Sequence, residues 1–199
     1  MRVIAGKYRS RQLKSLKGLA LRPTSDRLRE TLFDILRELV VDSRFVDAFA
    51  GTGAVGIEAL SRGAKEVVFI EKYAPAAALI KKNLEALEIR EGARVLPMDV
   101  LHALEILAKG SGRGREIRGI LFLDPPYDNA EEYDRVLSFL GSATLFGEGD
   151  LVVAEHRRKF ELPEVVGSLQ RVRVVRQGDA SLSFYGVAQK NPMTKVVAE

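Results

Sequence analysis

Val46-Asp47-Ala48-Phe49-Ala50-Gly51-Thr52-Gly53-Ala54-Val55-Gly56 decides the fold of this chain. A short apolar run, Phe45–Phe49, has the make-up of a buried strand and turns through G-x-G-x-x-G into Gly53–Arg62, whose spacing is helical. Three glycines at such a junction allow a tight turn, close approach of backbone to ligand, and close packing of helix on strand. The next apolar run, Glu66–Glu71, ends in an acid 20 residues after Gly51. An acid there is placed to accept from the hydroxyls of an adenosine ribose. The pattern alone does not separate a nicotinamide dinucleotide from S-adenosylmethionine. Asp47 tilts the choice, because an acid four residues before Gly51 suits a methionine ammonium and would repel a pyrophosphate. Asp99, after the third strand, is placed to accept from an adenine amino group. A chain of 199 residues also leaves little room for the second domain that dehydrogenases carry.

Outward from this turn the pattern alternates. Strands are expected at Phe45–Phe49, Glu66–Glu71, Arg94–Met98, Ile120–Asp124 and Leu151–His156, with helices at Gly53–Arg62, Pro75–Leu87, Val100–Lys109 and Ala130–Leu140. Such alternation gives a mainly parallel sheet with helices on both faces. Lys109–Gly119 is a loop, and Asn191–Glu199 a tail. The last third changes period: Leu169–Arg176 and Ser181–Ala188 flank Gln177-Gly178-Asp179-Ala180, a hairpin signal. The expected architecture is therefore α/β and Rossmann-like, a seven-stranded sheet closed by a C-terminal antiparallel hairpin. One domain over residues 1–190 is expected, comprising a basic arm over 1–21 and a catalytic core over 22–190.

The fourth strand leads into Asp124-Pro125-Pro126-Tyr127. Prolines cannot continue a central strand, so an acid and an aromatic stand at its carboxyl end, where open α/β sheets bind ligands. The chemistry this suits is methylation of an exocyclic amine. Such a nitrogen is a poor nucleophile, its lone pair being delocalised into the ring. Acceptance of its N–H bonds by the Asp124 carboxylate and the Pro125 carbonyl would draw it toward tetrahedral geometry. Tyr127 would stack on the base.

The front of the chain carries charge. Seven bases and no acid occupy Met1–Arg22, with Tyr8 among them, as expected of phosphate contact beside a stacking group. Val3–Ala5 and Tyr8–Leu13 around Gly6 suggest a small β-hairpin. Arg22-Pro23-Thr24-Ser25-Asp26 opens a helix whose apolar stripe is Leu28, Leu32, Ile35, Leu36 and Leu39. Arg2, Lys7, Tyr8, Arg9, Arg11, Arg22, Arg27 and Arg29 are the candidate RNA-binding residues.

Composition agrees with a globular chain: 46% hydrophobic, 29% charged, net charge +4. The absence of cysteine excludes disulfides and thiolate chemistry, and two histidines make a metal site unexpected. With no apolar run near the ~20 residues of a membrane span and no secretory leader, the cytoplasm is the expected compartment.

Arg2-Val3-Ile4-Ala5-Gly6-Lys7-Tyr8-Arg9-Ser10-Arg11, Arg22-Pro23-Thr24, Arg29-Glu30-Thr31-Leu32-Phe33, the glycine turn, Asp124-Pro125-Pro126-Tyr127 and Tyr185-Gly186 together resemble the RsmD family. These are bacterial methyltransferases acting on N2 of one guanine in 16S ribosomal RNA. The resemblance implies a class I methyltransferase sheet, S-adenosylmethionine as methyl donor, and small ribosomal subunits, assembled or partly so, as substrate. It implies that Asp47-Ala48-Phe49 and Gly51-Thr52-Gly53 hold the methionine end. Glu71-Lys72 would hold the ribose, Asp99 with the Val100 backbone the adenine, and Asp124 to Tyr127 the guanine. Small-subunit proteins could complete the substrate, and a monomer is expected. Glu155-His156 either lines the pocket or packs behind it. The Asp-Pro-Pro-Tyr motif alone is shared with DNA or RNA adenine-N6 enzymes. A non-catalytic RNA-binding assembly factor is the alternative outside enzymes.

Overall fold

The computed structural model describes residues 1–15, 24–109, 119–126, 130–143, 147 and 149–187. Arg22, Tyr127, residues 110–118 of the expected loop and the expected tail lie outside them. Two compact units divide the chain, Met1–Val100 and Leu101–Glu199.

In the first unit, α1 (Asp26–Leu36) begins where Ser25 Oγ accepts from the Leu28 N–H at 3.1 Å. It ends at Arg37, whose φ of 37° turns the chain into a short 3-10 helix, Arg37–Val40. Leu28, Leu32, Phe33 and Leu36 are its buried face. The helix therefore stops before Leu39, which the stripe had included. Three parallel strands follow in the order β3-β2-β1: β1 (Arg44–Ala48), β2 (Glu66–Ile70) and β3 (Ala93–Leu96). The helices with them are α2 (Ala54–Ser61) and α3 (Ala74–Ala86); α4 (Val100–Lys109) follows β3 and, beyond Val100, belongs to the second unit. Phe45 pairs with Val67 and Val68 with Arg94, so β1 and β2 end together. Their last residues, Ala48 and Ile70, are buried, as strands covered on both faces require.

In the second unit, β4 (Gly119–Leu123) pairs in parallel with β5 (Leu151–Arg157). Helix α5 (Ala130–Ser142) lies between them in sequence. β8 (Ala180–Val187) runs antiparallel to both β5 and β7 (Leu169–Gln177), and β6 (Val165–Val166) closes the edge on β7. The described residues hold eight strands, one more than expected. The addition, β6, is two residues long and too short for an alternation signal. Tyr185 is fully buried and donates to the Pro163 carbonyl at 2.7 Å, and burial pushes its phenol up to about 12.

Candidate active site

The glycine turn justifies its three glycines by three different constraints. Gly51 has φ 54° with nothing nearer than 4.0 Å to an added Cβ, so its requirement is conformational. Gly53, at φ 77°, also meets Ile80 at 3.1 Å. Gly56 has ordinary φ, but a Cβ there would stand 2.3 Å from the Phe69 ring, so it lets α2 close on β2. Phe49 is itself held at φ 64°, a conformation that costs a non-glycine residue on the order of 1–3 kcal/mol and collects at functional turns.

Two acids frame this turn. Glu71 accepts from the Gly51 N–H and from the Tyr73 N–H, both at 2.8 Å, so the carboxylate already sits against the backbone that a ligand would approach. Asp47 is 2% exposed and accepts from the Gly56 N–H at 2.8 Å. Burial raises its pKa to about 8, with the nearby Glu71 charge adding to the rise and the Gly56 hydrogen bond opposing it. Asp99 stands half-buried immediately ahead of α4, whose first residue, Val100, is buried. Ala48 and Thr52 are buried, and Lys72 is exposed. Tyr73, 45% exposed and two residues beyond Glu71, is an aromatic at this edge that the sequence reading passed over.

A desolvated acid ionises when a cation compensates its charge, whereas a pyrophosphate would add to the charge of Asp47 and Glu71. The donor set therefore fits an adenosine carrying an ammonium and a sulfonium.

The basic arm is seated on the same unit. Its two segments run antiparallel through the Arg2↔Gln12 bridge, with Val3 N–H donating to the Arg11 carbonyl at 3.0 Å, Ser10 N–H to the Val3 carbonyl at 2.9 Å and Leu13 N–H to the Met1 carbonyl at 3.0 Å. Ile4 and Ala5 donate their N–H groups to the two oxygens of Glu58 at 2.7 and 3.0 Å. Lys7 N–H meets the Ser61 carbonyl at 2.7 Å, and Tyr8 N–H the Ser61 hydroxyl at 2.9 Å. A Cβ on Gly6, at φ 80°, would lie 1.8 Å from the Ser61 carbonyl oxygen, so only glycine permits this approach. Farther along, the Asn83 side chain, 1% exposed, accepts from Lys14 N–H at 2.8 Å. It donates to the carbonyls of Lys14 and Thr52, each at 3.2 Å. One amide thus joins the end of the arm to the glycine turn.

One of the arginine expectations changes. Arg29 is wholly buried: its guanidinium donates to the Arg2 carbonyl at 2.7 Å and to Asp26 at 2.9 Å, and lies 3.8 Å from Glu58. It holds the arm and is unavailable to RNA, because its place in α1 is four residues before Phe33 on the buried face. Arg11 donates to the Ala86 carbonyl at the end of α3, at 3.2 Å. Arg2, Lys7, Arg9 and Arg27 are exposed, and Lys7 lies 5.3 Å from the Tyr8 ring centre. Glu58, fully buried and also 2.8 Å from Arg62, is the residue that sequence reasoning missed. Its signal was an acid inside the apolar run Ala54-Val55-Gly56-Ile57-Glu58-Ala59-Leu60.

In the second unit, Asp124 is half-buried directly after β4, Pro125 is buried and Pro126 exposed. Glu155 and His156 are both buried in β5. Tyr133 donates to the Glu155 carbonyl at 2.6 Å, and His156 Nε2 lies 2.9 Å from Ser183 Oγ. The ring of His156 is thus held within the β5–β8 pair. Among the described residues no group of three His, Cys, Asp or Glu side chains is placed to hold a metal ion, and no helix is long and apolar enough to cross a membrane.

Parallel strands feeding helices, a glycine turn watched by acids, and a terminal antiparallel pair define a class I S-adenosylmethionine-dependent methyltransferase. Residues 1–186 match the family model described as Conserved hypothetical protein 95. The chain belongs to that family, the RsmD family of its sequence motifs. YlbH of Bacillus subtilis is 38% identical over 185 residues, 93% of this chain and 98% of that one. The Escherichia coli K12 protein named Ribosomal RNA small subunit methyltransferase D is 35% identical over 180 residues, 89% of this chain and 86% of that one. Among solved structures, the Escherichia coli protein yhhF matches with a TM-score of 0.79 at 30% identity, covering 95% of this chain and 99% of that one.

Proposed function

We propose that the chain transfers a methyl group from S-adenosylmethionine to the exocyclic N2 amine of one guanine in 16S ribosomal RNA. The reading is carried by Asp124-Pro125-Pro126, an acid and a carbonyl presented at the carboxyl end of β4 in a chain of this family. The cofactor supplies an electrophilic methyl on a sulfonium. Asp47 meets its ammonium, Glu71 its ribose, and Asp99 with the Val100 N–H its adenine; the glycines of the turn leave room for the backbone to approach. Asp124 and the Pro125 carbonyl accept from the guanine amine and turn its lone pair outward, and Tyr127 stacks on the ring. Drawing the guanine from its stack costs a few kcal/mol, least in a loop. Catalysis is then positioning and electrostatics, and Asp124 need not be a strong base, since the amine becomes acidic only after it gains the methyl. The exposed cations of the arm, Lys7 and Arg9 foremost, hold phosphates of the RNA. The substrate is the small subunit, assembled or partly so, the compartment is the cytoplasm, and one polypeptide suffices as a single catalytic domain.

The test is incubation with unmethylated small subunits and labelled donor, followed by mass-spectrometric mapping of the RNA. A single N2-methylguanine is expected. In parallel, Asp124→Ala should retain cofactor affinity while kcat falls about 10²–10³-fold, the usual cost of one preorganised polar partner. Methyl transfer to adenine, or loss of affinity alongside activity, would remove the assignment.

A further inference from the structure

The reading above leaves one charged surface without a role, at the end of the second unit that carries Asp124. Because β4 and β5 are parallel and Leu123 pairs with Ala154, Asp124 and the exit of β5 share the carboxyl end of the sheet. That exit is Arg157-Arg158-Lys159. β8 runs antiparallel to β5, with Arg157 opposite Ala180, and β7 antiparallel to β8, with Gln177 opposite Ala180. The turn between β7 and β8 therefore arrives at the same end, bringing Arg176 into the row of Ser181 and His156. Arg158 N–H donates to the Asp179 carbonyl at 2.8 Å, tying the β5 exit to that turn.

Arg158, Lys159 and Arg176 are exposed, and Arg157 and Arg173 are half-exposed. The exposed acids nearest in sequence are Glu161 and Asp179, while Glu164 is paired with Arg171 at 3.3 Å. Cations thus outnumber acids on this edge. His156, in the same row, is held below its ordinary pKa by burial first, with backbone contacts at Arg157 and Phe160 opposing the shift and the charges of Arg171 and Arg176 adding to it. Packing does not demand these charges: Arg158 and Lys159 lie past the last paired row of β5, Arg157 opposite Ala180, and Arg176 is exposed although it shares the row of Ser181 and His156.

We propose that Arg158, Lys159 and Arg176 form a second phosphate-binding edge, which holds the RNA strand beside the nucleotide presented to Asp124. The proposal rests on the RNA substrate argued above. A base drawn from its stack must have its backbone fixed near the base pocket, and the N-terminal arm belongs to the other unit. An edge on the same unit as Asp124 supplies that anchor. Contacts of this kind position the strand and carry no sequence information.

The experiment is a salt titration of binding to a 16S rRNA fragment, comparing wild type with Arg158→Ala/Lys159→Ala/Arg176→Ala. Each single-strand phosphate contact contributes roughly −0.7 to the slope of log K against log salt, so the triple variant should be shallower by about two units. Its affinity for S-adenosylhomocysteine and its melting temperature should stay at wild-type values. Arg135→Ala, an exposed cation on α5, should leave the slope unchanged. In turnover with small subunits the triple variant should raise KM for RNA and leave kcat near wild type. If wild type binds the fragment and the triple variant keeps its full slope, the edge is a solvated surface or faces a ribosomal protein, and the proposal falls. If wild type binds no RNA at all, the substrate reading falls instead.

Discussion

Asp47, proposed to meet the donor's ammonium, sits where burial resists its charge. Burial holds its folded pKa at about 8 against an ordinary 3.8. A raised carboxyl contributes stability that is complete below the unfolded pKa and is lost as pH rises through the folded one. The ligand-free protein should therefore lose stability between about pH 4 and pH 8 from this residue, and Asp47→Asn should flatten that decline in denaturant titrations across the range. Binding an ammonium requires the ionised form, so at neutral pH cofactor binding should expel a proton. Calorimetry in buffers of different ionisation enthalpy should find up to one proton released by wild type and none by Asp47→Asn. At this scale the turn itself was legible from spacing, because Gly51 and Gly53 fall between β1 and α2 and Gly56 inside α2. The contact between Glu71 and the Gly51 N–H, and the left-handed Phe49, were not. Neither leaves a mark on composition, since both follow from how the turn closes in three dimensions.

The arm shows where reading by element fell short. A run of bases with no acid suggested an open cationic face, and Lys7 and Arg9 are exposed as that requires. The run also reached into α1, where one arginine lies on the buried side. A charge count ignores helical phase; Leu28, Leu32 and Phe33 already mark the phase that places Arg29 inward. Its partner Glu58 is the only buried carboxylate that touches the arm among the hydrogen bonds of the described residues. Removing one member of a buried ion pair typically costs about 3–5 kcal/mol. Glu58→Ala should lose that much in chemical unfolding, and Glu58→Gln, which keeps an acceptor for Ile4 or Ala5, distinctly less. Equal and small losses would mean that the arm's seat depends on the Ser61 contacts instead. The core strands and helices were placed within a residue or two, because burial on both faces writes itself as apolar runs. Residues such as Leu39 were assigned to a helix that a positive φ at Arg37 cuts short.

For the whole molecule, ligand binding and stability are one equilibrium. S-adenosylhomocysteine at 100 times its Kd should stabilise the native state by about 2.7 kcal/mol, visible as a concentration-dependent rise in melting temperature. Glu71→Ala should shrink that rise at equal ligand concentration, and an unchanged shift would place the ribose elsewhere. The seating of the arm has a further consequence, for synthesis. Among its hydrogen-bond partners, Glu58 lies 53 and 54 residues downstream of Ala5 and Ile4, and Asn83 lies 69 downstream of Lys14. At roughly 5–20 residues per second, a ribosome takes about 3–14 s to deliver Asn83 after Lys14. The beginning of this protein is therefore made early and seated late, and a nascent chain halted before α3 carries its cationic arm without the amide that locks it to the glycine turn.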